Sequence, residues 1–193
     1  MLSGQVVDTE TAREFMAQTL EKASRAELGD IVGELERKSV RFRQQLAPEA
    51  LPGLERDQLR GLLRMIFATR RKADAVLDVI GISVLREAID QLLYGPASAQ
   101  ERFQSFVDAL SGFWDDVRLA GKSMPGKSLP GKDEADLPEN VLCDLASELL
   151  HFTSPDDRWL WTRWMWDPRT GTGALPLVVE DHYDLHGHDA GET

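Results

Sequence analysis

The stretch ERDQLRGLLRMIFATRRK, residues 55–72, constrains the fold more than any other part of the chain. Leu59, Leu62, Leu63, Ile66 and Phe67 recur at i, i+3, i+4, i+7 and i+8. That spacing lines one face of an α-helix, and the period of a strand cannot reproduce it. The same period continues on both sides. Phe15, Met16, Leu20 and Leu28 form a rough apolar stripe that begins near Asp8 or Thr9 as N-cap and breaks at Gly29-Asp30. Ile31, Leu35, Phe42 and Leu46 are the expected buried side of the next helix. ADAVLDVIGISVLREAIDQLLYG reads as one long apolar helix stopped by Gly95-Pro96. Its interior glycine, Gly81, costs about 1 kcal/mol relative to alanine, which points to close helix packing.

Ser98 and Glu101 have the spacing of a capping box. The helix they open has Phe103, Phe106, Leu110, Phe113, Trp114 and Val117 on its inner face. LPENVLCDLASELLHF resumes the helical pattern after a segment that repeats PGK. The expected fold is therefore all-α. A bundle of five or six helices fills residues 1–120, and a Gly/Pro/Lys linker covers 121–136. A C-terminal helix and a Trp-rich segment cover 137–180, and a loose His/Asp tail covers 181–193. Nothing alternates between strand and helix, so a parallel sheet is not expected.

Charge decides which partners are plausible. The chain of 193 residues carries a net charge of −11. Residues 1–100 hold 14 Lys+Arg and 15 Asp+Glu, a net of −1, so the remaining −10 lies in residues 101–193. That half repels nucleic acid and anionic membranes. No apolar run approaches the roughly 18 residues of a membrane span. The N-terminus has no basic-then-apolar leader. The single cysteine, Cys143, cannot close an internal disulfide. These features lead us to expect a cytoplasmic protein.

Three motifs invite chemistry. Gly121 to Ser128, GKSMPGKS, fits the phosphate-loop pattern, with Gly126, Lys127 and Ser128 at its signature end. Such a loop needs a strand before it and a helix after it. Here a helix precedes it, prolines follow, and Pro125 removes an N–H that a phosphate needs. His182, His186 and His188 lie among Asp181, Asp184 and Asp189, a donor set suited to a divalent transition metal. Gly187 opposes a stable turn there, so ordering entropy weakens such a site. Arg56, Arg60, Arg64 and Arg71 share a helix face and form a candidate anion surface, with acidic neighbours close enough to pair.

No catalytic constellation stands out. Cys143 and His151 lie about 12 Å apart along a helix at 1.5 Å per residue, too far to touch. Asp144, Glu148 and His151 read as ordinary helical pairs, and an enzyme is not the favoured expectation.

The densest feature is RWLWTRWMW, which holds Trp159, Trp161, Trp164 and Trp166. Ser154, Pro155, Asp156 and Asp157 look like a helix start, with Ser154 as N-cap. On a helix, Trp159 and Trp166 face one way and Trp161 and Trp164 nearly the other. One face packs on the bundle; the other needs the LPLVV segment, a second subunit or a partner to cover it. SPDDRWLWTRW resembles a proline-and-tryptophan segment of helical DNA-recognition domains in some restriction systems. The resemblance implies DNA contact, which the acidity of this half opposes. The favoured expectation is an accessory, adaptor or chaperone-like protein. Trp159, Arg163, Trp166 and Arg169 are its candidate contacts for a protein partner or a second copy.

Overall fold

A computed structural model describes residues 9–121, 138–167 and 172–178. Within them are seven α-helices and no named strand. They are α1 (Thr9–Lys22), α2 (Arg25–Gln45), α3 (Arg56–Met65), α4 (Ala73–Val79), α5 (Ile82–Tyr94), α6 (Ala99–Gly121) and α7 (Glu139–Thr153). The fold is all-α. No helix among the described residues is long and apolar enough to cross a membrane.

The helix boundaries differ from the expected ones at breaks that the apolar pattern hides. The first break is not at Gly29. Ser24 opens α2 with a capping box: its amide and hydroxyl donate to Glu27 Oε2, each at 2.8 Å, and its Oγ accepts from the Glu27 amide at 3.1 Å. Gly29 then lies inside α2. The helix of residues 55–72 is also shorter than expected. The capping box of α3 is Glu55 with Gln58, whose Oε1 accepts the Glu55 amide at 2.8 Å. At the other end, Ile66 turns to extended backbone. Thr69 Oγ1, in a fully buried residue, donates at 2.8 Å to the Leu63 carbonyl, which also accepts the Ile66 amide at 3.2 Å, and closes the turn.

Gly81 splits the expected long helix into α4 and α5. Its φ of +81° is a conformation that side chains disfavour. A Cβ there would meet nothing within 4 Å, so the glycine serves the backbone and not close packing. Two expectations hold closely. Gly95 ends α5. Ser98 and Glu101 form their box before α6, with the Ser98 amide on Glu101 Oε2 at 2.9 Å and the Glu101 amide on Ser98 Oγ at 3.2 Å.

The described chain divides into two compact units, residues 38–161 and residues 1–37 with 162–193. In the first, α5, α6 and α7 pack against one another. Helix α7 is its most buried element, with Leu142, Leu145, Ala146, Leu149 and Phe152 all in the core. Burying a leucine or phenylalanine contributes about 1.5–3 kcal/mol, so this face alone explains why α7 forms here. Leu59, Leu62 and Leu63 of α3, Leu85, Ile89 and Leu92 of α5, and Phe106, Leu110 and Trp114 of α6 complete the same core.

Among its described residues, the second unit has little core. Helix α1 meets the short turn Leu175–Leu177, where Arg13 Nε donates to the Pro176 carbonyl at 3.0 Å. Phe15 and Leu20 of α1 stay exposed, as do Leu28, Ile31 and Leu35 of α2. Their expected burial does not occur. On α2 the stripe is covered only at its end, where Ser39 and Phe42 are buried, followed by Leu46.

Candidate functional site

The expected tryptophan helix is absent. Helix α7 runs through Thr153, and the Ser154 amide still donates to Leu150 and His151, each at 3.1 Å. Ser154 therefore closes one helix instead of opening another. Asp157 and Arg158 donate back to the Ser154 carbonyl in a turn, at 3.1 and 2.9 Å. Residues 159–162 then run without helical structure, and 163–165 turn again.

Anchors from the core hold this path and explain why it overrides the local helix signal. Ser147, buried on α7, accepts the Trp161 amide at 2.7 Å. His151 Nδ1 lies 2.7 Å from the Arg158 carbonyl. A carbonyl only accepts, so Nδ1 carries the proton. Leu160 packs against the core. Trp159 lies between these three fixed points and is 88% exposed.

The other tryptophans divide differently from the helical projection. Trp164 is 65% exposed and Trp166 is buried. Trp166 therefore leaves the set of candidate contact residues. The fold-back of the LPLVV segment is realised in part. The Ala174 amide donates to Trp164 and the Leu175 amide to Met165, both at 2.9 Å, and Asp167 donates to Thr172 at 2.7 Å. Gly173 makes this approach possible. Its φ is +146°, and a Cβ would sit 2.4 Å from the Met165 carbonyl oxygen. Arg163 is exposed in the 163–165 turn. Arg169 lies outside the described residues.

The arginine face of α3 is occupied by the protein's own carboxylates. Arg56 pairs with Asp78 at 2.5 Å, Arg60 with Asp57 at 2.6 Å and Asp74 at 3.4 Å, and Arg64 with Asp74 at 3.0 Å. Arg71 is exposed. Gly121 is the last residue of α6. Gly126, Lys127 and Ser128, and likewise His182, His186 and His188, lie outside the described residues. Among the described residues no group of three or more His, Cys, Asp or Glu could hold a metal.

Two polar arrangements had no local signal in the sequence. Lys38 Nζ is 2.5 Å from Glu148 Oε2, with both side chains largely buried. The ammonium also lies 3.9 Å from the Phe152 ring centroid, a cation–π contact. Separately, Arg43, Arg102 and Arg158 line one cavity where α2, α5 and α7 end. No family model matches the chain, and no curated protein or solved structure is significantly similar to it. The class is thus set by its own geometry: an all-α protein that presents an anchored, solvent-facing tryptophan.

Proposed function

We propose that the chain is a non-enzymatic, cytoplasmic accessory or adaptor protein that binds a protein partner through Trp159. The observation that carries this reading is the 88% exposure of that indole. Tryptophan is the residue most enriched among interface hot spots, where burial of its ring supplies much of the binding energy. Support also comes from the backbone around it. Ser147, His151 and Leu160 fix the residues on either side, so little main-chain freedom is lost on binding. The lone cysteine favours the reducing compartment.

Trp159→Ala tests this by affinity capture from the native cell extract, compared with wild type. The expected result is loss of specific partners, with unfolding stability unchanged to within about 0.5 kcal/mol. Capture of the same proteins by the variant contradicts the proposal.

A second reading, self-association, rests on α2. Leu28, Ile31, Val32 and Leu35 lie at i, i+3, i+4 and i+7, and are 40, 57, 54 and 48% exposed. This is the seam that one helix offers another. Light scattering on Ile31→Glu with Leu35→Glu separates the readings. A wild-type dimer that becomes a monomer favours self-association; an unchanged monomer removes it.

A further inference from the structure

Arg43 from the last turn of α2, Arg102 from the start of α6 and Arg158 from the turn after α7 line a cavity of about 580 Å³. Its polar walls also hold Tyr94, Thr153, Ser154 and one carboxylate, Asp157. Three guanidinium groups against one carboxylate make a formal lining charge of +2, inside a protein whose net charge is −11. We infer that this cavity binds a small organic oxyanion, a carboxylate or a phosphate.

The arginines here differ from those of α3, each of which is matched by an aspartate. Among the described residues, the side chains of Arg43 and Arg158 have no hydrogen-bond or ion-pair partner, and Asp157 pairs with none of the three. Three helices end at this cavity, and the negative ends of their dipoles attract cations. That does not consume Arg43 or Arg158, because other groups bond the carbonyls nearby; only Arg102 is used in this way, on the Leu93 carbonyl. Tyr94 donates to Leu46 at 2.7 Å, Thr153 to Leu149 at 2.7 Å, and His151 to Arg158 at 2.7 Å.

Arg102 is the fixed member. Its Nη1 donates to the Leu93 carbonyl at 2.6 Å, and its Nε is buried with no acceptor. Guanidinium forks match the paired oxygens of carboxylates and phosphates. The volume is that of a site for a small organic molecule and exceeds what a bare ion fills. The hydroxyls of Thr153 and Ser154 offer further hydrogen bonds to such a ligand.

Isothermal titration of the full chain with pyrophosphate and, separately, with citrate tests the site. At low salt we expect saturable binding of at least one probe. Stronger pyrophosphate binding identifies a phosphate ligand, and stronger citrate binding a carboxylate. Arg43→Ala and Arg158→Ala should each weaken binding about tenfold, the loss expected for one charge-assisted hydrogen bond. Both arginines are exposed and partnerless, so the variants keep the wild-type unfolding midpoint. Arg71→Ala, an exposed arginine that does not line the cavity, should leave binding unchanged. Absence of saturable binding of both probes overturns the inference, as does an equal loss in Arg71→Ala.

Discussion

Lys38 and Glu148 meet across 110 positions of sequence. Glu148 also accepts the Phe67 amide through its other oxygen at 3.2 Å, so both ends of the carboxylate are used. Removing one member leaves the other buried and unpaired. Glu148→Ala should therefore cost about 3–5 kcal/mol in urea unfolding, while Lys38→Met with Glu148→Leu should recover most of that loss. In sequence, Asp144, Glu148 and His151 read as ordinary helical pairs. Asp144 and Glu148 are in fact buried, because α7 is covered on more than one side. No spacing within one helix reveals that. Gly81 was legible as unusual and misread as to cause. Its backbone lies in a region open essentially to glycine alone, so Gly81→Ala should lower stability by about 1–3 kcal/mol. Thermal unfolding reads this directly, and an unchanged midpoint would show that the break between α4 and α5 does not need glycine.

Helix starts follow the same logic at the next scale. The Ser24 amide, and then its hydroxyl, hold the Glu27 carboxyl below its ordinary value of 4.5. For Glu101 the Ser98 hydroxyl leads and the amide follows, in the same direction. A carboxyl lowered by folding stabilises above its unfolded pKa and loses that contribution as pH falls through the folded value. At neutral pH, Ser98→Ala should cost about 1 kcal/mol. The gap in melting temperature between wild type and this variant should narrow as pH drops below 4.5. A gap that stays constant with pH would mean that the ionised box is not what stabilises the start of α6. The Ser98 box, the Gly95 stop and α7 were all readable because each rests on neighbouring residues. The tryptophan segment was not. Ser154-Pro155-Asp156 carries a genuine helix-start pattern, but Ser147, His151 and Leu160 tie residues 158–161 to the core and override it.

For the whole molecule, the all-α class was plain from the apolar period, while the extent of burial was not. Periodicity marks which side of a helix is apolar, but not whether anything covers it. On α2 the same stripe is buried at Phe42 and exposed at Ile31 and Leu35. The arginine cavity shows a related limit, since it brings together the ends of helices widely separated in sequence. In the proposed reading, the uncovered apolar groups and the lining charge are the surfaces that binding covers. The claim at the centre of this account is that Trp159 is a contact residue. The most direct measurement places a photo-crosslinking amino acid at position 159 in the native host, with one at exposed Ser83 as control. The account predicts a discrete crosslinked protein from position 159 that the control position does not give. No crosslink above that of the control would contradict it.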